Sequence, residues 1–477
     1  MNKVIEIRNL SIWSEQASIV EELSLELEWG VPITILGETG SGKSLLAQAI
    51  MGALPKGLST QGEISIFGKV VTSQGELEAL WGKELAMLPQ EPWLSLDPIM
   101  PSQKQVSLVK RLVGLFEKPK SESIARDSLK SFGLEGSEQK VPSQLSGGMA
   151  QRLAYLCATA AGGKVLIADE PTKGLDSSRK HQLIRLLKDH SRTGSLLTIT
   201  HDVEVAKELG GQVLVMKKGQ ILERGDCESV LRTPRSDYAK ALISASHLEY
   251  QHEESSSNGQ PLLELNKIEK SRGGVTLFSE LDLKLNQRQV LGIVGDSGAG
   301  KSTLADILLG LVKADKGSIT HHQELGQPAM LKLYQDPPAS FCRSITLSQN
   351  LADLCKLHNL DDTSIPQLMI DLGLSSELLE RKPDAISGGE LQRFAILRVL
   401  LMKPKVLVAD EPTSRLDPVV ANATMKLLLE QTARIGCSLV LISHDLKLVE
   451  QVSHKVVKIS DFSPSGLAPR SVPLPVV

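Results

Sequence analysis

A glycine-rich stretch, GETGSGKS at Gly37–Ser44, returns far along the chain as GDSGAGKST at Gly295–Thr303. The spacing G-x-x-x-x-G-K-[ST] is chemically demanding. Its glycines let consecutive backbone N–H groups turn inward around phosphates, while the lysine neutralises their charge. Each loop follows a short apolar run, VPITIL or VLGIV, and opens an apolar-periodic segment, LLAQAIMGAL or TLADILLGLV. That order predicts a strand, a phosphate loop and a helix whose N-terminus receives the anion. Two copies imply two nucleotide sites, or one ancient duplication.

The landmarks that follow each lysine recur in the same order. After Lys43 come LPQEP with Gln90, LSGGMAQR with Ser146, Gly147 and Gly148, VLIADEPTKGLD with Asp169 and Glu170, and TITHD with His201. After Lys301 come LYQDP with Gln335, ISGGELQR with Ser387, Gly388 and Gly389, VLVADEPTSRLD with Asp410 and Glu411, and LISHD with His444. The second copy is shortened mainly before its glutamine, which predicts the trimming of an antiparallel hairpin with the phosphate site left intact. Between the copies, HLEYQHEESSSNGQ is polar and serine-rich and reads as a linker. The expected organisation is therefore a first domain over 1–246, a linker over 247–260, a second domain over 261–461 and a flexible, proline-containing tail over 462–477.

Bulk properties narrow the function. A chain of 477 residues, 41% hydrophobic and 23% charged, suits two or three globular domains. A formal charge of −3 gives no electrostatic reason to expect nucleic acid as a partner. No apolar run approaches the roughly 20 residues that cross a bilayer, and MNKVIEIRNLSIW lacks a signal-peptide core, so a cytoplasmic chain is expected. The five cysteines never stand as C-x-x-C; reduced packing residues are expected, with neither zinc nor disulfides.

Apolar runs ending in paired carboxylates describe buried strands that deliver charge at their ends. Asp169 and Asp410 suit a magnesium-linked role beside the loop hydroxyls Ser44 and Ser302, and Glu170 and Glu411 are placed to polarise an attacking water. Gln90 and Gln335 suit the metal or that water, and His201 and His444 a terminal phosphate. A solvated acidic turn and a structural histidine are the bland alternatives. Recurrence of both features behind both phosphate loops favours the functional reading.

With both loops, both glutamines, both DEPT segments, both HD pairs and the LSGGMAQR and ISGGELQR signatures, the sequence resembles the nucleotide-binding subunits of ATP-binding-cassette transporters. The resemblance covers nearly the whole chain. It implies an α/β fold of two phosphate-loop NTPase domains in tandem, each a mainly parallel sheet core with an antiparallel β subdomain and a helical subdomain. It also implies ATP and Mg2+ as cofactors. ATP would contact the loop residues Gly37, Glu38, Thr39, Gly40, Ser41, Gly42, Lys43 and Ser44 in one copy. In the other it would contact Gly295, Asp296, Ser297, Gly298, Ala299, Gly300, Lys301, Ser302 and Thr303. In that family each ATP is shared between one cassette's loop and the other's signature, so Ser387, Gly388 and Gly389 would complete the first site and Ser146, Gly147 and Gly148 the second. Asp176 and Asp417 match the loop that communicates between sites. Trp13 fits the aromatic that stacks on adenine; the second copy offers only Arg272 before Phe278. Met149 stands where the family commonly has a polar residue, as Glu390 is in the second copy, and asymmetric affinities are expected with hydrolysis at both sites.

The tail of the first copy, PRSDYAKAL, resembles the C-terminal extension of the dipeptide, oligopeptide and nickel importer ATPases, with Ser236 and Asp237 in place of the family's His-Pro. The resemblance implies two membrane permeases and a substrate-binding protein as partners. It places the chain on the cytoplasmic face of the membrane and leaves peptide, nickel and metal-chelate cargo undivided. The rival reading is a soluble tandem-cassette ATPase acting on ribosomes, which typically joins its cassettes by a long charged helix that this chain lacks.

Overall fold

The computed structural model describes residues 3–15, 17–38, 40–173, 175, 177–245, 259–296, 298–322, 329–414 and 416–463. Expectations for Thr39, Asp176, Ser297, most of the linker and the tail beyond 463 lie outside those residues. The described residues fall into two compact units, one on either side of 246–258.

In the first unit the run PITILG becomes the strand Ile33–Gly37, buried along its whole length. Strands buried on both faces read as unbroken apolar runs, and Val165–Asp169 and Ser195–Thr200 are equally buried. These three lie side by side and parallel, with Ile33 opposite Leu197 and Ile167 opposite Leu197 on its other flank. Leu85–Leu88 continues the sheet beyond Val165–Asp169, and Gln212–Lys217 with its antiparallel partner Gln220–Asp226 closes the other side. A separate antiparallel sheet is built from Lys3–Trp13, Ser18–Glu28, Ser59–Ile66 and the short Lys69–Val70. Its inward residues, among them Ile5, Ile7 and Leu25, share one core with Leu46, Ile50 and Ile35. A second core unites the helices Ser102–Leu112, Lys118–Ser131 and Gly147–Thr159 with the far face of the parallel sheet.

The second unit repeats this plan on a smaller scale. Its parallel sheet runs Met330–Leu333, Val406–Asp410, Ser438–Ser443, Val290–Val294 and Lys455–Lys458. Its antiparallel sheet holds three strands, Val275–Asn286, Pro261–Arg272 and Lys316–His321. Where the first unit has the Lys69–Val70 strand and a short helix, Gln74–Glu78, before its glutamine, the second passes through 323–328, outside the described residues.

The extension that follows the first sheet ends in the helix Asp237–Ala245, anchored by buried Tyr238 and Leu242. The Lys217 ammonium lies 4.7 Å from the centre of the Tyr238 ring. Glu223 caps the approach to this helix. Its carboxylate accepts from the backbone N–H of Arg235 at 2.9 Å and of Ser236 at 3.0 Å, and from the Ser236 hydroxyl at 3.1 Å. Burial alone would raise this carboxyl, but those donors hold it below the ordinary glutamate value. Its contribution is therefore present at neutral pH and lost as pH falls through that lowered value. Glu223→Ala is expected to cost roughly 1 kcal/mol at pH 7, read by urea unfolding, because the site is only partly buried.

Candidate active sites

The carboxyl ends of neighbouring parallel strands are where an α/β sheet gathers its ligand-binding groups. In the first unit, Gly37 ends one strand, Asp169 the strand two places away, and Thr200 the strand between them. A side chain at Gly37 would place its Cβ 2.2 Å from the Met216 carbonyl oxygen, so only glycine lets the loop leave the sheet here. Gly40 and Gly42 take φ of +85° and +93°, the left-handed region that glycine enters freely.

Lys43, the first residue of the helix Lys43–Met51, turns its buried ammonium back into the loop. It donates to the carbonyls of Gly37 at 2.8 Å and Glu38 at 2.6 Å, and to the Ser41 hydroxyl at 3.3 Å. Ser44 follows on the same turn and donates to Asp169 at 3.1 Å. Burial pushes the Asp169 carboxyl up to about 6, partly offset by that hydroxyl. A hydroxyl and a carboxylate within 3.1 Å of each other form a hard-oxygen donor pair of the kind magnesium takes.

Glu170 stands one residue beyond the strand with φ +45°, a conformation unfavourable for a side-chain-bearing residue. Its backbone N–H is held by the Ile199 carbonyl at 2.8 Å. Its carboxylate meets His201 Nδ1 at 2.9 Å and accepts from the Thr200 hydroxyl at 3.2 Å. Burial would raise this carboxyl. The hydrogen bond and charge of His201, with the charge of Lys43, outweigh burial and bring it below the ordinary glutamate value. Glu170 is thus held ionised, oriented and strained at the sheet's functional end.

The second unit reproduces the frame with different contacts. Lys301 donates to the carbonyls of Gly295 at 2.8 Å and Asp296 at 3.0 Å, and lies 3.8 Å from the Glu411 carboxylate. Glu411 again has positive φ, +47°, and its N–H is held by Ile442 O at 2.9 Å. His444 lies 3.3 Å from one carboxylate oxygen and Gln335 donates to the other at 2.9 Å. In the first unit Gln90 is exposed and no bond joins it to Glu170 among the described residues. Asp410 has a different neighbour from Asp169: Lys332, whose ammonium sits 3.2 Å from Asp410 Oδ2 and donates to Asp306 at 2.9 Å. Burial pulls the Lys332 ammonium down, but Asp306 and Asp410 outweigh it and leave it above the ordinary lysine value.

Both signatures are helix N-termini. Ser146 caps Gly147–Thr159 by accepting from Met149 N–H at 3.4 Å. Ser387 caps Gly388–Leu401 reciprocally: its hydroxyl accepts from Glu390 N–H at 3.3 Å, and Glu390 accepts from the Ser387 N–H at 2.8 Å. Met149 supplies no such return contact, so the two caps differ where the sequences differ. Trp13 ends its strand exposed, paired with Ser18, whereas Phe278 is fully buried and Arg272 is exposed at the corresponding hairpin. Phe278 is therefore unavailable for base stacking. Thr200, Asp306 and Lys332 were not singled out by sequence. The one available signal was Lys332, a charge within an apolar strand.

A phosphate loop heading a parallel sheet, beside a strand that ends in paired carboxylates, defines each unit as a nucleotide-binding domain of the phosphate-loop class. The family model described as ABC transporter matches residues 20–173 and 278–414, one segment in each unit, and the chain belongs to that family. It is an ATPase. It is 30% identical to the peptidoglycan transport ATP-binding protein YejF of Agrobacterium fabrum, over 95% of this chain and 90% of that protein. It is 29% identical to the glutathione import ATP-binding protein GsiA of Pectobacterium atrosepticum, over 95% of this chain and 84% of that one. Among solved structures, the RNase-L inhibitor superposes with a TM-score of 0.64 at 20% identity, over 94% of this chain and 87% of that one, a likeness of fold. No helix among the described residues is long and apolar enough to cross a membrane.

Proposed function

We propose that this chain is the ATP-hydrolysing subunit of an importer for small peptide-containing solutes, working at the cytoplasmic face of the membrane with two permeases and a substrate-binding protein. The observation that carries this reading is likeness along 95% of the chain to two transport subunits, one named for peptidoglycan transport and one for glutathione import. Both named solutes contain short peptides. Its two cassettes would be 1–246 and 261–461, joined through 247–260.

Lys43 and Lys301 would hold the phosphates with the loop N–H groups. Ser44 with Asp169, and Ser302 with Asp410, would hold Mg2+, aided by Gln90 and Gln335; the ion supplies charge neutralisation on the phosphates. Glu170 and Glu411 would take the proton of the attacking water, and His201 and His444 would orient the glutamate and the terminal phosphate. Ser146–Gly148 and Ser387–Gly389 would serve the phosphate loop of the opposite cassette. ATP then stabilises a closed arrangement of the cassettes and hydrolysis releases it, a population switch whose energy the permeases use.

The test is uptake in the native host. Disrupting the gene is expected to abolish accumulation of a labelled tripeptide or muropeptide, with the wild-type gene restoring it and the Lys43→Ala, Lys301→Ala form failing to. Unchanged uptake of both peptides with loss of nickel or metal-chelate uptake would overturn the peptide assignment.

A further inference from the structure

The two units differ at one charged contact that their shared plan does not require. Sheet register places Met87 opposite Ile167 and Lys332 opposite Val408, each two residues before the strand-end aspartate. Gln48 and Asp306 likewise stand five residues after their phosphate-loop lysines. The pair that is Met87 and Gln48 in the first unit is thus Lys332 and Asp306 in the second. Gln48 Oε1 is buried with no hydrogen-bond partner among the described residues, whereas Asp306 accepts from Lys332 at 2.9 Å. The Lys332 side chain is 9% exposed and that of Asp410 is 8% exposed, so their 3.2 Å contact is little screened. Ser44 donates to Asp169 in the first unit; no bond joins Ser302 to Asp410 among the described residues.

We propose that Lys332 is a resident counter-ion of Asp410 that competes with magnesium for that carboxylate, so that the ion adds little to ATP binding at the second phosphate loop. The proposal rests on the reading of Asp169 and Asp410 as the magnesium-linked carboxylates. Two cations compete for one carboxylate. The covalently held one is always present, anchored on its other side by Asp306. A divalent ion arriving at Asp410 meets a carboxylate already paired with an ammonium, whereas at Asp169 it meets a carboxylate bonded to a hydroxyl, on which Lys43 and Lys173 act through their charge but to which no ion pair is joined among the described residues. Lys332 is accordingly a positioning residue whose partner is the carboxylate.

The experiment measures equilibrium binding of a fluorescent ATP analogue to the full chain, in excess Mg2+ and in EDTA. Lys43→Ala isolates the second loop and Lys301→Ala the first. Magnesium is expected to tighten binding at the first loop by at least about tenfold and at the second by less than about threefold, the difference a buried ion pair makes. Lys332→Met, which installs the first unit's residue type, should bring the second loop's magnesium gain to about tenfold, and Lys332→Arg, which keeps the charge, should leave it small. An unchanged gain in a Lys332→Met chain of normal melting temperature would overturn the proposal. Should that variant fail to fold, Met87→Lys with Gln48→Asp transplants the pair. A reduced magnesium gain at the first loop then supports the proposal, and an unchanged gain overturns it. A first loop of intact affinity that ignores magnesium would contradict the assignment of Asp169, and the proposal with it, which separates that failure from a failure of Lys332 alone.

Discussion

A chain carrying Glu170→Gln and Glu411→Gln is expected to bind ATP at both phosphate loops and to hydrolyse it about 10²–10⁴-fold more slowly than the natural chain, the usual contribution of a positioned general base. The amide keeps the size of the carboxylate and can still accept from Thr200 and meet His201. It cannot take a proton. Glu170 is suited to do so because its charge is maintained despite burial by His201 and Lys43, and because its backbone is pinned to Ile199 in a left-handed conformation. Single substitutions should be unequal. Glu411 shares its carboxylate with Gln335 and lies 3.8 Å from Lys301, contacts that no bond reproduces for Glu170 among the described residues. Steady-state phosphate release read beside nucleotide binding decides the matter. Unchanged turnover in the double variant would remove both glutamates from the catalytic role.

Asp169→Asn is expected to do two opposite things: raise the melting temperature of the ligand-free chain at neutral pH, and weaken magnesium-dependent ATP binding at the first loop. Burial holds the Asp169 carboxyl at about 6, above its ordinary value of 3.8. Because the folded state binds the proton more tightly than the unfolded state, the cost of burying this carboxylate is absent below the unfolded value. It grows as pH rises towards 6 and is fully present above. A shift of this size corresponds to about 3 kcal/mol at pH 7.5, an upper figure for what the neutral amide recovers. The gain should shrink as pH is lowered and vanish below about pH 4. Thermal unfolding of both forms between pH 4 and 8 measures it. A variant less stable than the natural chain at pH 7.5 would mean that the Ser44 hydrogen bond outweighs the burial cost. The tension is functional: the same buried carboxylate that destabilises the empty fold is the one suited to a divalent ion.

Much of this was legible in the sequence, because the features concerned are local. A phosphate loop needs its glycines, lysine and hydroxyl within one short stretch, and a fully buried parallel strand is an unbroken apolar run, so PITILG and VLIAD announce both their element and its place. The repeat then reinforced each reading. What stayed hidden depends on register. Lys332 meets Asp410 only because Met330–Leu333 and Val406–Asp410 are neighbouring strands aligned so that Lys332 lies opposite Val408. No local pattern records that a lysine 78 residues away will pair with a strand-end aspartate. Thr200 escaped for the same reason: its hydroxyl reaches Glu170 from the adjacent strand. The left-handed φ of both glutamates was equally unreadable, since a glutamate carries no sign that it must adopt a conformation glycine prefers. The substitution of Met149 for a polar residue leaves Ser146 with a one-sided cap, where Glu390 gives Ser387 a reciprocal one.

The most direct test of the central claim, that this ATPase energises uptake through membrane partners, is purification of the tagged chain from detergent-solubilised membranes of its native host in the presence of ATP, with mass spectrometry of what accompanies it. The account predicts two polytopic permeases in equal amounts with each other and with the chain. Recovery of ribosomal proteins with no permease would contradict it and favour the rival reading, a tandem-cassette ATPase acting on ribosomes.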